Sequence, residues 1–262
     1  MRKTTSQSRG STASDIADAT LAETGAATRN ISTAELRKLL ASGSDVLLLD
    51  TRSHLEWSLG HIPGALNVGP KPGLTMAMYT ADVAAAERLI GGNKSRQVVL
   101  YCNGPFCGKS KRVSEDLLKA GYSDVQRYQL GAPVWRALGG VMVIEPDGAA
   151  YVAQHDNTAV WIDAREPDAF ARGTVPGARN LRRSGLRPGK DEGEVRSAKD
   201  DGRLPLDDHN TRVIVFGENG ADARAVAEAL ASEAFHNVSF FDGSVESLRA
   251  ALATKGPSPP GR

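Results

Sequence analysis

Residues 97–109 read Gln-Val-Val-Leu-Tyr-Cys-Asn-Gly-Pro-Phe-Cys-Gly-Lys, and this segment indicates the fold class. Val98–Tyr101 form a short apolar run without alternation, which is typical of a strand buried on both faces of a parallel sheet. The run leads directly into a polar loop, and a helix is predicted from about Ser110 to Ala120. A strand that is followed by a loop and a helix is the repeating unit of an α/β fold.

The neighbouring segments continue this alternation of strands and helices. Residues 46–49 form a further short apolar run that predicts a buried strand, Val125 to Tyr128 are expected to form another short strand, and residues 80–91 have helical character. Upstream, Ser32 or Thr33 can cap a helix, and Glu35 can hydrogen-bond back to the cap as in a capping box. The expected fold class is therefore α/β with a mostly parallel sheet.

The pattern occurs twice, which predicts two copies of one module. Asp50-Thr51-Arg52 is repeated as Asp163-Ala164-Arg165, and GHIPGALN (60–67) is repeated at the same spacing as GTVPGARN (173–180). We therefore expect each module to have a central parallel sheet flanked by helices. The predicted divisions are a disordered leader (1–30), a catalytic module (31–145), an inactive module (146–255) and a disordered tail (256–262). Residues 183–203 are charged and are expected to form a solvated loop.

Composition excludes several classes of function. The chain has 262 residues with 32 basic and 31 acidic side chains, so its net charge is only +1. This balance gives no indication of binding to nucleic acid or to an anionic membrane surface. No apolar run approaches the length of a transmembrane helix, and the Ser-, Thr- and Ala-rich leader lacks the core of a secretory signal. The expected location is cytoplasmic. Two cysteines and scattered histidines provide no zinc ligand set, and neither a metal nor a cofactor is expected.

Cys102 is the candidate nucleophile. It lies at the carboxyl end of a predicted parallel strand, where α/β proteins bind ligands, and the following backbone N–H groups and helix start can hold an anion. Such surroundings lower the pKa of a thiol, although a buried structural cysteine is the alternative interpretation. The predicted catalytic residue is Cys102; the predicted substrate-binding residues are Asn103, Gly104, Pro105, Phe106, Cys107, Gly108, Lys109 and Arg52.

Taken together, several motifs resemble the rhodanese family. They are Asp50-Thr51-Arg52, Glu56-Trp57, Gly60-His61-Ile62-Pro63-Gly64-Ala65, the Cys102 loop, and Gly131-Ala132-Pro133-Val134-Trp135 with Gly139-Gly140. The resemblance covers nearly all of residues 31–145 and, more weakly, 151–254. It implies a central five-stranded parallel sheet in each module. It also implies transfer of sulfane sulfur from thiosulfate or a related donor to a thiol or cyanide through a cysteine persulfide, with a protein sulfur acceptor as a further candidate.

The active loop departs from the common form of that family. It is longer, and its pattern Cys-Asn-Gly-Pro-x-Cys-x-x-Ser resembles a subgroup of single-domain rhodaneses. Cys102 is the predicted sulfur carrier because it holds the strand-end position. Cys107 is predicted either to resolve the persulfide or to form a disulfide with Cys102.

Three further positions are interpreted as structural first. Arg52 can pair with Asp50, and the recurrence of that pair in the second copy favours a structural ion pair over substrate binding. His61 is expected to brace the Pro63-Gly64 turn rather than to act as a base. Trp135 is expected to be a core aromatic. The second module has Gly217 where the first has Cys102, which excludes persulfide chemistry there.

Three alternatives to a sulfurtransferase remain. A phosphatase or arsenate reductase requires Cys-x5-Arg, and Gly108 stands at that arginine position. A non-catalytic sulfur-carrier or regulatory module is compatible with the inactive second copy. A thiol redox switch could use Cys102 and Cys107.

Overall fold

The computed structural model describes residues 27–69 and 83–253. Most of the predicted leader and the whole predicted tail (256–262) lie outside these residues. So do residues 80–82 of the segment with helical character, and the rest of that segment contains the helix Val83–Ile90. Within the described residues, no helix is both long enough and apolar enough to cross a membrane.

The first module is built on a sheet of five parallel strands in the order β1-β5-β4-β2-β3. The strands are β1 (Arg29–Asn30), β2 (Leu47–Asp50), β3 (Leu66–Asn67), β4 (Val98–Tyr101) and β5 (Val125–Tyr128). The helices are α1 (Thr33–Ala41), α2 (His54–Ser58), α3 (Val83–Ile90), α4 (Gly108–Lys119) and α5 (Gly131–Ala137).

The second module repeats this arrangement in a sheet of five parallel strands ordered β6-β10-β9-β7-β8. Its strands are β6 (Met142–Ile144), β7 (Val160–Asp163), β8 (Arg179–Asn180), β9 (Val213–Gly217) and β10 (Val238–Ser244). Its helices are α6 (Pro146–His155), α7 (Pro167–Arg172), α8 (Gly193–Asp200), α9 (Gly220–Ser232) and α10 (Val245–Ala253), with a 3₁₀ turn at Arg183–Gly185. The predicted fold class, two α/β modules with central parallel sheets, is confirmed.

The apolar strands form because both faces of each sheet are covered. In the first sheet, Leu48 and Val99 pack on one face, while Leu47, Leu49 and Leu100 pack on the other. Continuous apolar runs are the pattern that two buried faces require. At the start of α1, the Ser32 side chain accepts from the Glu35 N–H and Glu35 accepts from the Ser32 N–H, which is the predicted capping box.

Two short strands lie on the other side of the predicted module limits. Arg29–Asn30 falls in the predicted leader but pairs with β5, and Met142–Ile144 falls in the predicted first module but pairs with β10. By strand pairing, the chain passes from one module to the other between α5 and β6. Such short strands were missed because their few residues carry no clear periodicity.

The charged segment 183–203 also differs from its prediction as a loop. It contains the 3₁₀ turn and α8, which buries Val195 and Ala198 in the core of the second module. Two apolar residues one turn apart are enough to attach this helix, but they give little signal in a charged sequence.

The two modules are joined by backbone hydrogen bonds. The His61 N–H donates to the Val143 carbonyl and the Val143 N–H donates to the His61 carbonyl, which forms an antiparallel bridge between the predicted turn and β6. The Glu145 N–H donates to the Ser58 carbonyl over 2.9 Å. These contacts make the second module a support for the turn that follows α2.

Candidate active site

Cys102 follows β4 at the carboxyl end of the first sheet, as the sequence predicted. Its relative exposure is 1%, and its carbonyl accepts from the Ala132 N–H over 3.0 Å. Gly131 has φ +67°, and a Cβ there would lie 2.3 Å from the Cys102 carbonyl oxygen and 2.6 Å from the Gly104 nitrogen. The start of α5 is therefore packed directly against the first residues of the loop.

The loop is a tight turn that ends at the N-terminus of α4. The Cys107 N–H donates to the Gly104 carbonyl over 3.0 Å. Gly104 has φ +111°, a backbone conformation that residues other than glycine rarely adopt. Cys107 is the N-cap residue of α4, which begins at Gly108 rather than at Ser110. The N–H groups of the first helical turn therefore lie beside the second cysteine.

The Sγ atoms of Cys102 and Cys107 are bonded to each other as a disulfide, with the two Cα atoms 6.3 Å apart. The two residues differ in exposure, since Cys102 is buried and Cys107 is half-buried. Of the two outcomes that the sequence left open for Cys107, the structure therefore contains the disulfide. A thiol at Cys102 requires that this bond be reduced first.

Glu56 is a site residue that sequence reasoning did not select. Its Oε2 accepts from the Ser53 N–H and hydroxyl in a capping box at the start of α2, while its Oε1 accepts from the Asn103 side-chain amide. Its Oε2 also lies 3.8 Å from Lys109 Nζ. Glu56 thus connects α2 to the loop at both Asn103 and Lys109.

The charge of Glu56 is retained in this position. Burial raises the pKa of Glu56, but hydrogen bonds from Asn103 and Ser53 together with the Lys109 charge outweigh burial and lower the pKa below its ordinary value. A negatively charged carboxylate from α2 therefore lies beside the lysine of the loop. The signal in the sequence was the Glu56-Trp57 motif of the resemblance, and its capping-box spacing offered a purely local explanation.

Arg52 belongs to a buried ion pair next to the loop. Its Nε donates to both carboxylate oxygens of Asp50 over 3.0 Å, and its Nη2 donates to Asp50 and to the Gly60 carbonyl. Burial lowers the pKa of Arg52, but Asp50 outweighs burial, so the pKa lies above its ordinary value. The guanidinium lies 5.6 Å from the ring centroid of Tyr101, the residue before Cys102.

The second module reproduces this ion pair without a thiol beside it. Arg165 donates to Asp163 and, over 2.7 Å, to the Gly173 carbonyl, as Arg52 does to Asp50 and Gly60. Asp163 is paired in register with Phe216, as Asp50 is with Tyr101, so Gly217 occupies the place of Cys102. This recurrence favours the structural interpretation of Arg52, and substrate binding by Arg52 stays a prediction.

His61 and Trp135 lie in the interior. His61 stacks on the Trp57 ring, and its Nε2 lies 3.6 Å from Glu145 Oε1; burial lowers the pKa of His61 to about 4. The neutral ring is consistent with the predicted bracing role. Trp135 is 6% exposed, and its Nε1 donates to the Val141 carbonyl over 3.0 Å.

Eight of the predicted site residues, Cys102 to Lys109, form the loop itself, whereas Arg52 contacts Asp50, the Gly60 carbonyl and the Tyr101 ring. Phe106 projects from the loop with its ring fully exposed.

A cavity of about 1000 Å³ opens between the modules, lined among others by Leu40, Pro63, Trp135 and Arg224, but no loop residue lines it. Among the described residues, no group of three or more His, Cys, Asp or Glu side chains could hold a metal. The loop carries Cys102, the predicted nucleophile, so the loop is the candidate site.

Comparison with known proteins identifies the family. A family model described as Rhodanese-like domain matches residues 32–138 and again residues 149–251. The chain therefore belongs to the rhodanese-like family and carries two copies of its domain. The predicted family and its tandem arrangement are confirmed.

Three individual proteins that resemble this chain share no more than about a third of their aligned residues with it. An HTH-type transcriptional regulator of Mycobacterium tuberculosis is 32% identical over 125 residues, which cover 48% of this chain and 49% of the regulator. A sulfurtransferase of Allochromatium vinosum is 30% identical over 118 residues, which cover 45% of this chain and 96% of that protein. This chain thus spans about half the length of the regulator. The crystal structure of thiosulfate sulfurtransferase from Pseudomonas aeruginosa matches with 19% identity and a TM-score of 0.38, over 93% of this chain and 48% of that one.

Proposed function

We propose that this protein is a sulfurtransferase that carries sulfane sulfur as a persulfide on Cys102. The observation that supports the proposal most directly is the position of Cys102. It directly follows a parallel strand and begins the turn that leads into the N-terminus of α4, in a member of the rhodanese-like family. Thiosulfate or a related compound is the proposed donor, and a thiol, cyanide or a protein is the proposed acceptor. The proposed location is cytoplasmic.

The reaction begins from the dithiol form of the loop. The Cys102 thiolate attacks the outer sulfur of thiosulfate, the sulfur–sulfur bond of the donor breaks, and sulfite leaves with the bonding electron pair. The terminal sulfur of the persulfide then lies within the turn, where backbone N–H groups and the end of α4 stabilise its negative charge. An acceptor nucleophile removes that sulfur and restores the Cys102 thiolate.

Side chains around the loop hold it in place and set its charge. Glu56 fixes Asn103 by a hydrogen bond, and Gly131 lets α5 support the Cys102 carbonyl. Lys109 supplies positive charge for an anionic donor, which Glu56 partly offsets at 3.8 Å. The second module supports the first through the His61–Val143 bridge. It does not supply a nucleophile, because Gly217 stands at the position equivalent to Cys102.

The test is formation of thiocyanate from thiosulfate and cyanide by the pre-reduced protein. We expect Cys102→Ser to lower the rate by about 10³-fold or more, because it removes the nucleophile. Gly217→Ser in the second module is the matched control at the equivalent strand end and should retain the wild-type rate. Activity that survives in Cys102→Ser would show that another group carries sulfur.

The disulfide specifically favours a second candidate function, a thiol redox switch that uses Cys102 and Cys107. The two candidates differ in the species that thiosulfate produces. A sulfurtransferase gains a sulfur atom on Cys102 in the reduced protein, whereas a simple switch only interconverts dithiol and disulfide. Intact-mass measurement of the reduced Cys107→Ser variant after exposure to thiosulfate separates them, because this variant cannot form the disulfide and can only gain the sulfur atom or remain unchanged.

A further inference from the structure

The two cysteines of the loop have complementary surroundings. Cys102 is 1% exposed at the end of β4, whereas Cys107 is half-buried between exposed Phe106 and exposed Gly108. Cys107 is also the N-cap residue of α4, a helix of 12 residues. The positive end of a helix stabilises a thiolate, so Cys107 is a second nucleophile of the loop and the more accessible one.

Cys107 reaches the sulfur atom that would carry the persulfide. In the disulfide, its Sγ is bonded directly to Sγ of Cys102, and the hydrogen bond from the Cys107 N–H to the Gly104 carbonyl holds the intervening turn closed at 3.0 Å. Attack on a persulfide can occur at either sulfur. A residue that bonds Cys102 Sγ in the folded protein is placed for attack on the inner sulfur.

We infer that Cys107 resolves the Cys102 persulfide and releases sulfide, so that the protein reduces sulfane sulfur at the expense of a dithiol. The inference rests on the proposed function, which supplies the persulfide. Thiolate Cys107 forms a bond to Cys102 Sγ, and the bond between Sγ and the terminal sulfur breaks. The terminal sulfur leaves with the electron pair and takes a proton from water, as hydrosulfide. It gains two electrons, and the two cysteines lose them in forming the disulfide.

A dithiol reductant closes the cycle. It attacks the half-buried Cys107 sulfur, which releases the Cys102 thiolate for the next donor, and its second thiol then displaces Cys107. In each turnover, one thiosulfate and one dithiol yield sulfite, sulfide and the oxidised dithiol. The disulfide in the structure is the state between sulfide release and reduction.

The experiment is a single turnover on the full chain. The protein is fully reduced, freed of reductant and mixed with thiosulfate, and sulfite, sulfide and intact mass are measured. For the wild type we expect sulfide in an amount equal to sulfite, and a mass about 2 Da below the reduced protein, because the disulfide forms. For Cys107→Ser and Cys107→Ala we expect sulfite without sulfide, and a mass about 32 Da higher, because the persulfide persists. Two variants are used because the serine hydroxyl can cap α4.

Each other outcome overturns a defined part. If the wild type releases sulfite but keeps the added sulfur without producing sulfide, resolution by Cys107 is wrong and the sulfurtransferase proposal stands. If sulfide appears equally in the Cys107 variants, its source is not Cys107. A rate of sulfide release that rises with protein concentration shows attack between molecules rather than within the loop. If the wild type releases no sulfite, the proposed function fails and this inference fails with it.

Discussion

The side-chain amide of Asn103 donates a hydrogen bond to Oε1 of Glu56, a residue 47 positions earlier in the chain. The two residues come from different strand–helix units, which lie side by side because β2 and β4 are neighbours in the parallel sheet. The contact ties the active loop to α2, whose other end lies against the second module through Ser58 and Glu145. The loop, α2 and the module interface therefore form one continuous structure.

Replacing Glu56 by Gln tests the charge of this contact. Glutamine retains one acceptor oxygen for the Asn103 amide, and Ser53 Oγ can still accept from the backbone N–H of residue 56. The change removes the acceptor for the Ser53 N–H and the negative charge 3.8 Å from Lys109. We expect KM for thiosulfate to fall about threefold, because the loop gains net positive charge at a partly exposed site. Glu87→Gln is the control, since Glu87 pairs with Lys94 over 3.3 Å on the surface. A KM that rises in Glu56→Gln would contradict an electrostatic effect on the donor.

Local patterns predicted the units of the fold but not their long-range contacts. The apolar run of β4 and the capping box at Ser32 predicted their elements because strand burial and helix capping are encoded within a few residues. Cys102 was selected for the same reason, since it directly follows a strand. Glu56 was not among the predicted site residues, because its partner Asn103 is distant in sequence and no local pattern links the two residues. The contact between Gly131 and Cys102 likewise could not be predicted from local sequence, because it depends on how α5 packs against the loop in the folded protein.

Gly131→Ala tests that support. An alanine Cβ would lie 2.3 Å from the Cys102 carbonyl oxygen at a φ of +67°, so either α5 or the loop must move. We expect sulfur transfer to fall at least about tenfold, because a shift of this size misplaces the nucleophile, and unfolding to be easier by about 2 kcal/mol. Rates and urea unfolding curves measure the two effects.

The control for Gly131→Ala is Gly91→Ala, in which φ is +74° and a Cβ would meet nothing within 4 Å. Gly91→Ala introduces the same backbone strain but no contact with the active loop. We therefore expect it to lower the free energy of unfolding by about 1 kcal/mol and to leave the rate of sulfur transfer unchanged. Equal losses of rate in both variants would mean that contact with Cys102 is not the cause.

The repeated ion pair provides an internal comparison for Arg52. Arg52→Met and Arg165→Met each leave a fully buried aspartate, Asp50 or Asp163, without its cation. We expect each to lower the free energy of unfolding by about 3 kcal/mol. At a temperature where both variants remain folded, we expect their KM values for thiosulfate to agree within about twofold, because Arg52 donates to Asp50 and Gly60. A KM that rises tenfold only in Arg52→Met would instead assign Arg52 to substrate binding.

Buried His61 makes stability depend on pH. Burial lowers the pKa of His61 to about 4, below the ordinary value of 6.5, so the unfolded chain binds a proton more readily than the folded protein. The stability that comes from burying the neutral His61 ring is fully present above pH 6.5. It is lost as the pH falls from 6.5 towards 4, and the complete loss amounts to roughly 3 kcal/mol of unfolding free energy. Burial raises the pKa of nearby Glu145, which opposes part of this loss.

The measurement is the free energy of unfolding between pH 5 and pH 8 in wild type, His61→Asn and His155→Asn. His61→Asn should be less stable at pH 8, because it loses the stacking on Trp57, but its stability should fall less steeply with decreasing pH. His155 is exposed on α6 and serves as the control, so His155→Asn should retain the wild-type slope. Because His61 bridges to Val143, the wild-type loss at low pH should also weaken the junction between the modules. Equal slopes in wild type and His61→Asn would show that another group governs the acid sensitivity.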